Sequence, residues 1–384
     1  MSSDDCILII GSAGGARMTE FALIVALLAV LVSVGCGGGS TSAKDGGGGT
    51  VAAKVSGTIE VGTVPDAVAV DPIANQVYVA DSGTVTGSTG LCSSSGAGIT
   101  VIDGATGTTA TVPLQATPRA IALNPGSHTA YVAQNLWRGL FKANDCNFWE
   151  DLATSIDTST GIQSQIYGAP SLDGHPGLSG IAVDQSTGDI YLTVLSAIFA
   201  SNSVKVIGSN GATIPVGSGP VGVAVNATTG KIYVANSGSN NVSVIDGAKY
   251  TVVATVTDPN AIAPVALAVN ATTNTIYVAN SQSNNVTVID GATNSVTATI
   301  PVGTSPSGVD IDPQTNFIYV ANAGNSQVGE PGNITVIDAA TNATSTLTDP
   351  NAKNPIAVAV NSTTNKIYVA NSGSNNVTVI DGAQ

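Results

Sequence analysis

Few side chains in this 384-residue chain are equipped for chemistry. Of the two histidines, His128 falls in a short turn (NPGSHTA) and His175 in the long segment GAPSLDGHPGLSG, residues 168–180. His175 is the imidazole suited to acid–base work or metal ligation, with Glu150 or Asp173 as its carboxylate partner. No His/Cys/Asp/Glu set has metal-ligand spacing, so neither a metal nor a cofactor is expected. The segment NLWRGLFKANDCNFWED (135–151) holds both tryptophans and two of the five phenylalanines. There Trp137, Arg138, Phe141, Lys142, Trp149 and Glu150 set aromatic faces beside charges, a combination that stacks on a sugar ring or clamps a peptide. Trp137, Phe141, Phe148 and Trp149 would equally serve as a small core holding a long loop together. The Gly-rich tract at 35–49 has neither GK[ST] nor a preceding strand, so it matches no phosphate loop.

The elements that position these groups follow from composition. Charged residues are 9% of the chain, and Gly alone accounts for 44 positions. Val, Ile, Thr and Tyr favour strands, while Gly, Asn and Asp favour the turns between them, so the chain reads as all-β. The net charge is −14. Without residues 1–36, which hold Asp4, Asp5, Glu20 and Arg17, the 25 acids and 11 bases become 22 and 10, a net of −12. With no basic cluster, this composition excludes a nucleic-acid partner and disfavours an anionic lipid surface.

Residues 21–34 (FALIVALLAVLVSV) form an apolar run of 14, the length of a signal-peptide core and short for a membrane span. The pair Gly35–Cys36 followed by GGGSTSAKDGGGG resembles a bacterial lipoprotein signal. That resemblance implies acylation of Cys36, which becomes the mature N-terminus, although Ser33 stands where Leu is usual. The expected organisation is a signal peptide over 1–36, a flexible Gly/Ser linker over 37–54 and a folded array over 55–384. The protein is expected in the periplasm or on the cell surface, held to the membrane through the lipid alone.

Beyond residue 54 the chain repeats. Tyr78, Tyr131, Tyr191, Tyr233, Tyr277, Tyr319 and Tyr368 head the same strand pattern. Each is preceded at seven residues by Asp71, Asn124, Asp184, Asn226, Asn270, Asp312 or Asn361. Six of these seven follow a proline by six residues (Pro65, Pro118, Pro220, Pro264, Pro306, Pro355), and the copy beginning near Leu178 is the exception. Fixed spacing in seven copies means one hairpin repeated in one register. One unit is VALAVN (265–270), TIYVAN (275–280), VTVID (286–290) and VTATIPV (296–302). It predicts a seven-bladed β-propeller of four-stranded antiparallel blades. The tyrosines are expected to pack between blades and the Asp/Asn residues to fix turns. The recurring Asp of VIDG is read as a turn residue and not as a calcium ligand. The seventh copy stops after its third strand, VTVIDGAQ. TIEVGTVPDAVAVD (58–71) aligns with TIPVGTSPSGVDID (299–312), so residues 57–61 should complete blade seven and close the ring.

The motif IYVANSGSNNVSVIDGA (232–248), with near-copies at 276–292 and 367–383, resembles the YVTN-type β-propeller repeat over residues 55–384. The resemblance implies a bacterial propeller on or outside the cell. It implies little chemistry, since related propellers include binding modules, lactonases and lyases.

The copies differ chiefly between their second and third strands. From the tyrosine to the end of the third strand, blades four, five and seven use 13 residues, blade one 25, blade two 26, blade three 17 and blade six 19. Insertions from blades one and two, and the connection into blade three, should therefore meet in one sector of one face. Cys92 and Cys146 lie in the first two insertions, and in an oxidising compartment they are expected to form a disulfide. The whole reads as a monomeric, non-catalytic binding or scaffold module for a protein, peptide or glycan. The alternative is a lactonase- or lyase-like enzyme using His175 with nearby carboxylates.

Overall fold

Alternating β-branched residues give each repeat a surface that buries on both sides, and the chain uses this to stack sheets around an axis. The computed structural model describes residues 52–88, 91–138, 148–171, 177–195 and 202–384. Among them are seven four-stranded antiparallel sheets, six of them following chain order from an inner strand a to an outer strand d, while the seventh takes its outer strand from the start of the fold. The a strands are Pro65–Asp71, Thr117–Asn124, Gly177–Val183, Pro220–Asn226, Pro264–Asn270, Pro306–Asp312 and Pro355–Asn361. Each touches the next, and the seventh touches the first, which makes a ring about a central channel. Close approach explains two glycines there. A Cβ on Gly180 would lie 2.3 Å from the Val221 carbonyl oxygen, and one on Gly308 2.8 Å from the Ala357 Cα.

Turns between strands a and b follow one recipe. Asn270 Oδ1 accepts the Thr272 and Thr273 N–H groups at 3.0 and 3.2 Å, and Asn274 completes the turn at φ 54°. The c–d turns repeat it, with Asp103 Oδ1 accepting the Ala105 and Thr106 N–H groups at 2.9 Å. Turn bonds hold the carboxyls of Asp103, Asp157 (here first the Ser159 hydroxyl) and Asp290 below the ordinary range, and the ammonium groups of Lys249 and Lys366 do so chiefly for Asp246 and Asp381. Blade three lacks this Asp, having Gly208. Asp189, just before the strand Ile190–Leu195, supplies the carboxylate instead, accepting the Ser209 N–H at 2.7 Å and the Tyr250 hydroxyl at 2.8 Å.

No single core exists; the buried apolar residues form layers between blades. Tyr78 packs with Ile121, Val132 and Ile156 of the next blade, Tyr233 with Ile276 and Ile289, and Tyr319 with Ile367 and Ile380. Tyr368 of blade seven packs against Val68, Val77 and Ile102 of blade one, across the closure of the ring. The Tyr319 hydroxyl accepts the Ala383 N–H at 2.8 Å.

Closure occurs as the repeat alignment predicts, over a slightly longer strand. Lys54–Glu60 pairs antiparallel with Asn376–Asp381 as the outer strand of blade seven. Buried Asp349 fastens it, accepting hydroxyl hydrogen bonds from Thr58 at 3.2 Å and Thr378 at 2.6 Å. Removing the chain up to residue 60 strips this strand and bares the edge of Asn376–Asp381. The thermal midpoint should fall by about 10 °C or more, with concentration-dependent aggregation on heating. An unchanged, reversible transition would refute closure by this strand.

Candidate functional site

The insertions are partly built as sheet. In blade one a second hairpin, Thr84–Ser88 with Leu91–Ser95, leaves the end of strand b. In blade two the expected loop begins as an extension of strands b and c, Thr129–Arg138 and Phe148–Asp157, whose pairing runs out to Arg138 opposite Phe148. Strand d extends with them as Gln163–Ser171, so Gly168–Ser171 is strand and not connection. The blade-one hairpin lies beside the extended strand of blade two. The register sets Trp137 opposite Trp149 and Glu150 opposite Leu136. Cys92 stands opposite Gly87 in the blade-one hairpin. Phe141, Lys142, Cys146, Asp173 and His175 lie outside the described residues, as do Cys36 and the leader and most of the linker. His128 is in an exposed turn at φ 51°.

Connections from strand d to the next strand a emerge on the same face as these insertions, so the first residues of the a strands form the channel mouth there. The position after the repeated proline varies in a pattern the sequence reading passed over. Blades four, five and seven, which have no insertion, carry Val221, Val265 and Ile356. Blades one, two, three and six, which have one, carry Asp66, Arg119, Ser179 and Ser307. Comparing copies at this position, and not only the loop lengths, would have found them.

Asp66 and Arg119 meet across the blade one–two boundary, Arg119 Nη1 donating to Asp66 Oδ2 at 3.1 Å. Ser82 Oγ lies 2.5 Å from the same oxygen and 2.8 Å from the Pro118 carbonyl. A hydroxyl has one proton for these two acceptors. In blades three and six the equivalent contact is made from the other side, Ser179 Oγ donating to the Pro220 carbonyl at 2.8 Å and Ser307 Oγ to the Pro355 carbonyl at 3.1 Å. Burial raises the Asp66 pKa, against the opposing pull of Arg119 and Ser82.

Asp81 is the second departure. At this place blades four to seven have a buried asparagine whose Nδ2 donates twice: Asn280 to Asn285 Oδ1 at 2.8 Å and to Thr287 Oγ1 at 2.9 Å. Blade one has Asp81, 1% exposed, and Gly98 in place of the partner asparagine. The Thr100 hydroxyl turns to donate to Asp81 Oδ2 at 2.6 Å, while Oδ1 faces no donor. Burial pushes the pKa to about 6 despite the bonds from Thr100 and Gly62, and the Asp66 charge adds to the shift. Deeper in the channel Asp310 stands where the other six blades have Ala. Its carboxylate accepts the Ile311 and Val360 N–H groups, both at 2.8 Å, and burial raises its pKa to about 6.

An acid whose pKa rises on folding binds its proton more tightly in the folded state. Its contribution therefore favours the fold at low pH and declines as pH climbs from about 4 through 6. Asp81→Asn restores the residue of the other blades. It should stabilise the protein by about 1–3 kcal/mol at pH 7.5, the gain vanishing near pH 4. Denaturant titrations at the two pH values check this; a gain independent of pH would count against a charged, buried Asp81.

Residues 218–245, the first three strands of blade four, match the NHL repeat. No curated protein matches the chain. Among solved structures, hydrazine synthase of Kuenenia stuttgartiensis superposes with a TM-score of 0.62 at 18% identity, over 82% of this chain and 95% of that one. The chain is a β-propeller repeat protein. At this identity the likeness extends to the fold alone, and the departures of this propeller from its own repeat are what speak to function.

Proposed function

We propose that this propeller, of YVTN type, is a non-catalytic binding module whose ligand sits at the channel mouth in the sector of blades one and two. One observation carries the reading: polar residues replace aliphatic ones at the mouth in those blades, and only those, that also carry an insertion. A propeller serving as mere bulk would keep one residue there throughout. Among the non-consensus groups in blade one, Asp66 and Asp81 are carboxyls whose pKa burial raises, a state that weakens the fold at neutral pH and is expected where a site needs it. The insertion aromatics Trp137 and Trp149, with Arg138 and Glu150, would form the outer wall. A disulfide between Cys92 and Cys146 would pin that wall. The same proposal has the protein exported and tethered through Cys36, on the strength of the apolar run and the Gly/Ser tract behind it.

Tryptophan fluorescence tests the reading, because both tryptophans lie on the facing strands of the blade-two insertion. Titrating the full chain with neutral sugars, peptides, carboxylic acids and lactones should give a saturable shift with one class. Replacing Arg119 by Gln should abolish that shift, and the ligand should be recovered chemically unchanged. Consumption of the ligand that disappears in His175→Ala would instead establish an enzyme. A shift insensitive to Arg119 would remove the channel mouth from the site.

A further inference from the structure

Arg119 is the sole basic residue on the seven inner strands, and it is poorly satisfied. Its side chain is 23% exposed, yet among the described residues its guanidinium donates to a single atom, Asp66 Oδ2. A guanidinium carries five N–H donors in a planar fork shaped for two oxygens of one carboxylate. Holding such a half-buried group on a single monodentate protein bond leaves most of its fork open to a second oxygen ligand. Its partner is equally ill-matched. Asp66 Oδ2 shares Ser82 with the Pro118 carbonyl, and one proton cannot serve both. When Asp66 holds a proton of its own the conflict ends. Asp66 then donates to Ser82 Oγ, Ser82 donates to the Pro118 carbonyl, and Arg119 is left with an unneutralised charge facing the mouth.

We propose that Arg119 is the receptor for a carboxylate group of a small ligand, and that Asp66 occupies this receptor while the site is empty. The proposal rests on the channel mouth being a binding site and names the class of ligand it takes. The ligand carboxylate takes the fork of Arg119, Asp66 withdraws from it in protonated form, and binding draws in a proton. The titratable and charged groups facing Asp66 among the described residues are Arg119 of blade two and Asp81 of its own blade. The Asp66 charge raises the pKa of Asp81, so the linkage belongs to the pair. The protein's net charge of −14 does not forbid an anionic ligand, since exposed charges more than about 8 Å away are largely screened at physiological salt.

Calorimetric titration of the full chain with succinate at pH 5.5 and 7.5 tests this. The unaltered protein should bind more tightly at pH 5.5, by roughly fivefold or more, with proton uptake visible as a buffer-dependent heat. Asp66→Asn should bind at pH 7.5 more tightly than the unaltered protein does at that pH, and lose most of the pH dependence. Arg119→Gln should lose binding by at least about tenfold, while Arg119→Lys, which keeps the charge and not the fork, should fall between. Thermal transitions confirm that each variant folds. Asp66→Asn binding no more tightly than the unaltered protein, or succinate binding untouched by Arg119→Gln, would overturn the proposal. Absence of succinate binding together with an Arg119-dependent fluorescence shift from an uncharged ligand would overturn the carboxylate class and leave the channel-mouth site standing.

Discussion

Everything in this molecule depends on the contact between its last blade and its first. A row of repeats buries each unit against two neighbours and leaves the terminal ones half covered. Here the seventh layer is made by residues nearly three hundred positions apart, Tyr368 on Val68, Val77 and Ile102. Hydrogen bonds stitch the same seam on both faces: the Val64 N–H donates to Asn375 Oδ1 at 2.9 Å, and Asn361 Nδ2 to Asn75 Oδ1 at 2.9 Å. The closing strand Lys54–Glu60 and Asp349 complete it. The seam has the same inter-blade asparagine bond as the boundaries at Asn226 and Asn270, so closure makes a continuous ring whose rigidity is available to whatever the loops present.

A closed ring also separates two tasks. The inter-blade layers and the Asx turns on one face are nearly invariant among copies, as Asn226, Asn270 and Asn361 each donating to the next blade show. On the other face the strands run on into insertions without disturbing those layers, as the ten-residue strands of blade two do. Residues at the mouth belong to both worlds, being built on rigid inner strands yet facing the loops. That is where Asp66 and Arg119 are held to a fixed geometry, and where a buried charge is tolerated because the rest of the ring supplies the stability.

Repetition made the fold legible. Seven tyrosines at fixed spacing announce seven inter-blade layers, and an alignment of 58–71 with 299–312 announces the closing strand. Local spacing made the turn aspartates legible too, since an Asx side chain bonds its own backbone two residues on. The mouth was not legible in this way. Asp66, Asp81 and Arg119 are ordinary residues in sequence, and their pairing spans 53 positions for Asp66–Arg119. What marks them is a difference from the equivalent residues of other blades, a signal that loop length and aromatic content overshadow. Blade three shows the converse limit. The loss of its VIDG aspartate reads as a defect until Asp189 is seen to reach the same turn from the end of the a–b turn.

The central claim is that departures from the repeat are the site, retained at a cost to stability. A variant with Asp66→Val, Asp81→Asn and Arg119→Val gives these three positions the residues of blades four and five. Its unfolding midpoint at pH 7.5 and its ligand-induced fluorescence shift are to be measured side by side. A higher midpoint with the shift abolished is the result the account predicts. A lower midpoint with the shift intact would contradict it, making these residues part of the scaffold and moving the site elsewhere.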